Sequence, residues 1–222
     1  MAKVISIAQQ KGGAGKSTIA AHLAVALFQQ GKRVTLVDID PQGSLTMWHS
    51  LREKQYGKGY TGINFISSSG WRVGNAISQY KSHSDFIIID SPPHTETEAK
   101  GAIREADLVI IPMQPSPTDL WATKATLDFA KSEKKLVKIL LNRYNPTSKI
   151  ARDVASRISD ALICSIGNRV LFSSCFMQGR CVTESDPQSQ AANEIKALTE
   201  EVLGLMGEGV ATPLKEKELA KA

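Results

Sequence analysis

The sequence predicts a doubly wound α/β domain, a mostly parallel sheet flanked by helices, and three observations carry that prediction. Short runs rich in β-branched residues alternate with helical segments along nearly the whole chain. Two of those runs, DFIIID (85–90) and DLVIIP (107–112), are apolar almost without interruption, as expected of strands covered on both faces. A glycine-rich stretch separates the first strand from the first helix, so the opening strand–helix–strand reads as a right-handed crossover unit.

The elements follow in order. KVISIA (3–8) is a short strand that ends at the glycine loop. STIAAHLAVALFQQG (17–31) is a helix with Ile19, Leu23, Ala26 and Leu27 on one face and Gly31 as its stop. RVTLVDID (33–40) is a second buried strand, INFIS (63–67) a further strand and WRVGNAISQYK (71–81) a helix. Residues 118–131 are helical, and KLVKILLN (135–142) returns to strand. SKIARDVASRISD (148–160) is expected as a helix, with Ile150, Val154, Ile158 and the following Ala161 on one stripe. SQAANEIKALTEEVLGLM (189–206) is the last helix. Residues 1–206 are thus expected to form a single domain. The remainder, GEGVATPLKEKELAKA (207–222), carries three basic and three acidic residues and is expected to be a flexible polar tail.

Composition narrows the class. A chain of 222 residues has room for one ordinary core, and 42% apolar with 22% charged residues is the balance of a soluble globular protein. No apolar run approaches the ~18 residues that would span a bilayer. The N-terminal apolar stretch is too short for a signal peptide, so a cytoplasmic chain is expected. Cys164, Cys175 and Cys181 are odd in number and lack C-x-x-C spacing. They are expected as buried thiols, not as a disulfide framework, a zinc site or cluster ligands. Residues 131–180 hold ten Lys/Arg against three acids, whereas residues 181–222 hold four against eight. Such a local excess suits either a polyanion-facing surface or a merely solvated face.

The strongest motif is KGGAGKST (11–18). A phosphate-binding loop has the form GxxxxGK[ST], and Lys16-Ser17 supplies its ending. Gly12, Gly13 and Gly15, with Ala14 between them, let the backbone turn its N–H groups inward around an anion, at the start of a helix whose N-terminal end is also positive. Lys16 is placed to neutralise β- and γ-phosphates and the Ser17 hydroxyl to ligate Mg²⁺, with Thr18 in reach of the α-phosphate. Gln10 stands where the motif's first glycine belongs, and a second lysine, Lys11, follows it. Mg²⁺ prefers oxygen ligands and retains waters, so carboxylates at strand ends must complete the site. Asp90 ends DFIIID, the place of a Walker-B acid, and Asp38 and Asp40 close the second strand in VDIDPQ.

KGGAGKST, VDIDPQGS and IIIDSPP, in this order and at these strand ends, resemble the ParA/MinD family of deviant Walker-A P-loop ATPases. DLVIIPMQPSPTD (107–119) and GRCVTESDPQSQAANEIKALTEEV (179–202) extend the likeness over nearly the whole chain. The resemblance implies ATP and Mg²⁺ as cofactors. It makes Lys11 the signature lysine, Lys16 the P-loop lysine and Asp40 the switch I residue that positions the attacking water. Asp38 then supports the metal and switch I, Asp90 is the Walker-B acid, and Asn142 contacts adenine. In that family the signature lysine acts in trans, crossing to the nucleotide of a second copy, so a nucleotide-sandwich homodimer is implied.

For cargo the resemblance implies plasmid or chromosome partition. The ATP-bound dimer binds DNA without sequence preference, and a ParB-like or other adaptor stimulates hydrolysis. Lys149, Arg152, Arg157, Arg169 and Arg180 are the candidate DNA contacts, and a nucleoid-associated, bacterial cytoplasmic location is implied. Positioning of a non-DNA cargo on the nucleoid is the alternative. A MinD-like membrane ATPase would need an amphipathic basic C-terminal helix, whereas the tail offers only Leu214 and Leu219 amid balanced charge, so no stable membrane anchor is expected. The start of the chain directly at the first strand leaves no room for the helix-turn-helix extension of larger ParA proteins, so sequence-specific operator binding is not expected.

Overall fold

The structure, a computed structural model, describes residues 1–93 and 96–208. In chain order its elements are β1 (Lys3–Ile7), α1 (Lys16–Gln29), β2 (Val34–Asp38), α2 (Ser44–Tyr56), β3 (Asn64–Ser67) and α3 (Val73–Tyr80). Then come β4 (Phe86–Asp90), α4 (Glu96–Glu105), β5 (Leu108–Met113), α5 (Pro117–Ser132) and β6 (Leu136–Tyr144). The C-terminal third holds α6 (Lys149–Ala155), β7 (Ala161–Gly167), α7 (Val170–Phe176), α8 (Val182–Ser185) and α9 (Gln190–Leu205).

The strands pair in the order β3-β2-β4-β1-β5-β6-β7, every described pair parallel, which is the predicted doubly wound sheet. The chain winds outward from β1 in both directions, so its carboxyl end lies where the winding reverses, the position at which such sheets bind ligands. Residues alternate between two helical layers. Ile5, Ile7, Ile88, Ile110 and Leu140 pack with α1, α7 and α9 on one face. On the other face Val109, Ile111 and Ile139 pack with Ala130 of α5 and Val154 of α6, and Val4, Ile87 and Ile89 pack with α3 and Ala102 of α4.

Local chemistry explains most boundaries. Ser116 caps α5 by accepting from the Asp119 N–H, with Pro117 in the first turn, and Ser189 caps α9 through the Ala192 N–H. In α1 burial runs all round the helix from Ile19 to Leu27 and is not confined to the expected face, because α9 and α8 cover its outer side. Gly207 and Glu208, expected in the tail, instead close α9. Glu208 N–H donates to the Leu203 carbonyl, and its carboxylate pairs with Lys32 at 2.9 Å. The rest of the expected tail, residues 209–222 with Leu214 and Leu219, lies outside the described residues. No described helix is long and apolar enough to cross a membrane.

The expected helix 148–160 is corrected. It stops at Ala155, Ile150 is exposed, and Ala161 begins β7. The short run ALICSIG is needed as the last strand, and as the sheet's edge it has N–H groups that no neighbouring strand takes. Glu201 accepts from Ile163 and Cys164 at 2.8 and 3.0 Å, and Glu194 accepts from Gly167 at 3.1 Å, so side chains of α9 seal the edge. Helices α2, α4, α7 and α8 are further elements that periodicity alone did not mark. Cys175 and Cys181 are buried thiols as expected, while Cys164 is half-buried.

Candidate functional site

The glycine loop leaves β1 at the centre of the sheet and enters α1 through Gly15, whose φ of +94° is left-handed. A side chain there would also collide with Asn142, since a Cβ would lie 2.3 Å from Asn142 Nδ2. That amide, 6% exposed, braces the loop from β6: Nδ2 donates to the Ala14 carbonyl at 2.7 Å, and Oδ1 accepts from the Arg143 N–H at 3.0 Å.

Strand pairing brings the carboxylates together. Asp38 of β2 and Ile7 of β1 both lie level with Asp90 of β4. Asp40 is not part of the strand as expected but stands two residues beyond it, where its Oδ1 accepts from the Gln42 N–H at 2.9 Å. Asp38 is committed to shaping this turn. Its Oδ1 accepts from the Asp40 N–H at 3.1 Å, and its Oδ2 accepts from the Thr46 N–H and hydroxyl at 2.9 and 2.8 Å. Burial raises its pKa, against the pull of those donors.

Asp90 is different. It is fully buried, and neither carboxylate oxygen has a regular hydrogen-bond partner among the described residues. Desolvation pushes its pKa up to about 7; the Ser17 hydroxyl is near enough to moderate the rise without closing a bond of regular geometry. Lys16 is buried too, and desolvation lowers its pKa against the attraction of Asp90 and Asp40. Burial thus penalises both charges, the electrostatic signature of a site that awaits ligand charge.

This pair has a pH consequence. Between the ordinary carboxylate value and about 7, folded Asp90 keeps a proton that the unfolded chain has released. The group therefore favours the folded state at the acid end, and that advantage is lost as pH rises through about 7. The effect is bounded at about 4 kcal/mol. Without nucleotide, Asp90→Asn is expected to flatten the fall in melting temperature between about pH 5 and about pH 8. An unchanged profile would mean that the buried charge does not sit on Asp90.

Two adjoining clefts complete the site. The first, about 400 Å³, is lined by Gly12, Gly13, Gly15, Lys16, Ser17, Thr18, Asp40 and Arg143 among others. The second, about 230 Å³, is bounded by Asn142, Arg143, Asn168 and Phe172 and shares Gly15 and Thr18 with the first. A phosphate chain fits the first and a planar base the second. Arg143, which sequence reasoning passed over, lines both and adopts a left-handed φ of +53°, uncommon for a residue with a side chain. No sequence signal marks an arginine in that conformation.

Lys11 does not line either cleft. Its Nζ lies 2.6 Å from Asp119 Oδ2, at the start of α5. The basic residues separate as well. Lys149, Arg152 and Arg157 are exposed on or beside α6, on one face of the sheet. Arg169 precedes α7, on the other face, and is bound to Glu194 at 2.6 Å, while Arg180 donates to the Glu184 carbonyl. Among the described residues no three His, Cys, Asp or Glu side chains gather to hold a metal.

Known proteins share this architecture. The chain is 29% identical over 210 residues to the maintenance of carboxysome distribution protein A of Halothiobacillus neapolitanus, covering 90% of this chain and 95% of that one. It is 25% identical over 240 residues to the chromosome-partitioning ATPase Soj of Thermus thermophilus, covering 92% and 96%. The solved structure of the Cyanothece McdA–ATP complex superposes with a TM-score of 0.78 at 20% identity, covering 96% of this chain and 99% of that one, which shows a common fold. Residues 5–180 match the family described as the CobQ/CobB/MinD/ParA nucleotide binding domain, and the chain belongs to that family.

Proposed function

We propose that this chain is a ParA-type, Mg²⁺-dependent ATPase that dimerises with ATP, binds DNA without sequence preference as a dimer, and hydrolyses ATP when a cargo-bound adaptor stimulates it. The observation that carries the reading is the division of labour between two lysines. Lys16 is buried inside the phosphate cleft, whereas Lys11, five residues earlier, stands outside it. A cation displaced from its own cleft suits delivery to the cleft of a facing copy, in the manner of an arginine finger.

The chain's own residues fit the group they would hold. Asp90's buried oxygens, without a regular partner among the described residues, and the neighbouring Ser17 hydroxyl are hard donors suited to Mg²⁺ and its water shell. When bound, the ion neutralises charge on the phosphate oxygens. In this reading the loop N–H groups cradle the phosphates and Lys16 offsets their charge. Asp38 holds the turn after β2 in shape, and Asp40, at the cleft wall, orients the attacking water. Asn142 braces the loop beneath the base pocket, where Arg143 adds a cation beside the base.

The same reading takes Lys149, Arg152 and Arg157, all exposed although Arg152 also donates to the Pro146 carbonyl at 2.7 Å, as the DNA-facing residues; it sets aside Arg169, paired with Glu194, and Arg180, both of which are half-buried. The relatives named above point to two cargoes, chromosomal DNA for Soj and the carboxysome for the Halothiobacillus protein. The second reading, positioning of a non-DNA cargo on the nucleoid, is favoured by identity and not by coverage: 29% to the carboxysome-distribution relative against 25% to Soj.

Co-sedimentation with duplex DNA in ATP, in ADP and without nucleotide tests the cycle. Binding is expected in ATP alone and should fall steeply with salt, because neutralised phosphates release counterions. Equal binding in all three states would overturn the proposal. ATP-dependent binding to anionic liposomes, with none to DNA, would replace it with a membrane cycle.

A further inference from the structure

Lys11 is held from two sides. Its ammonium pairs with Asp119 at 2.6 Å, the lysine side chain 41% exposed and the aspartate 3%. The same carboxylate oxygen accepts from the Ser116 hydroxyl, and the other, Oδ1, is buried with no partner among the described residues. On the backbone side, Gln9 donates to Thr123 Oγ1 of α5 at 2.9 Å, and its carbonyl oxygen faces the Lys11 N–H at 3.5 Å. The segment after β1 is therefore strapped to α5, with the lysine held at the start of that helix.

We propose that Asp119 is a positioning residue that keeps Lys11 retracted in the single chain, so that forming the ATP dimer requires breaking an internal ion pair. The proposal rests on the reading that Lys11 acts on a second copy's nucleotide. One ammonium cannot serve both anions. Its departure leaves Asp119 almost wholly buried with only a hydroxyl as donor, and an uncompensated buried charge costs far more than a surface pair gains. The nucleotide of the facing copy must outweigh that cost, and the tethered aspartate competes at high effective concentration. Asp119 thereby sets the threshold at which two copies join, and suppresses association of copies whose clefts lack the full phosphate charge.

A purely fastening role predicts the opposite behaviour. If Asp119 merely held the loop in shape, its loss would weaken the dimer. The dimer fraction is measured by sedimentation velocity against protein concentration, with Mg²⁺ and a non-hydrolysable ATP analogue, for the parent, Asp119→Asn and Lys11→Ala. Asparagine keeps the size and the hydrogen bond to Ser116 while removing the charge. Asp119→Asn is expected to dimerise at about tenfold lower concentration. Unchanged or weaker dimerisation of this variant would overturn the proposal.

A second measurement uses the unaltered chain. Without nucleotide, acylation of Lys11 by an amine-reactive ester, followed by mass mapping, should run several-fold slower than that of exposed Lys58. Equal rates would count against retraction whatever the variant does. Lys11→Ala separates this inference from the one beneath it: a variant that dimerises like the parent overturns the in-trans role itself. Loss of its dimer together with an unimproved Asp119→Asn overturns only the retraction.

Discussion

Lys11→Ala is expected to bind ATP as a monomer, to lose the ATP-dependent dimer and to lose about 10³-fold or more in adaptor-stimulated hydrolysis. Nucleotide binding should survive because Lys11 lines neither cleft, and Lys16, Ser17 and the loop glycines remain in place. The dimer should fail because two sets of phosphates would then face each other without the cations that offset their repulsion. Hydrolysis falls for a separate reason: a cation supplied at the phosphates stabilises charge that develops only in the transition state. Equilibrium binding of a fluorescent ATP analogue, sedimentation velocity and a phosphate-release assay separate the three effects. A variant that dimerises and turns over like the parent would make Lys11 an ordinary loop-fastening residue paired with Asp119.

Gly15→Ala is expected to abolish nucleotide binding and to lower the melting temperature by roughly 10 °C. Two costs combine. The residue sits at φ +94°, where an L side chain is strained by about 1–2 kcal/mol. The added methyl would also approach Asn142 Nδ2 to 2.3 Å, and that amide cannot swing away without losing the Ala14 carbonyl it holds at 2.7 Å. Movement there turns the loop N–H groups off the phosphates, so function is lost before the fold is. Thermal melting and an ATP-analogue titration check the two halves. Retention of both would show that the loop enters α1 by another path. Gly13 offers the contrast, since its φ of +73° is also left-handed but no atom stands within 4 Å of a Cβ built there.

Much of this could be read in the chain, and the gaps have physical causes. The strands at 85–90 and 107–112 were legible because a doubly covered strand must be apolar throughout. KGGAGKST was legible because a backbone anion site requires glycines at fixed offsets and a helix start behind them. Edge strand β7 was missed because ALICSIG lacks alternation, and its pairing is completed by Glu194 and Glu201 some thirty residues later. Helix 148–160 was overextended because local periodicity carries no information that the next strand needs Ala161.

The parallel sheet, the phosphate loop, the strand-end aspartates Asp38 and Asp90, Asp40 just beyond, and the surplus lysine are all legible in residue types along the chain. Those features are local: each follows from residue types at short, fixed spacing. What those groups can do depends on how the fold assembles them. It set apart Asp38, held by Thr46 and Asp40, from Asp90, whose oxygens have no regular partner among the described residues, although both end buried strands. It left Lys149, Arg152 and Arg157 exposed and committed Arg169 to Glu194. It also brought Asp119 to Lys11 across 108 residues. Desolvation, pairing and strain depend on neighbours that the fold assembles from distant segments, and no spacing along the chain records them.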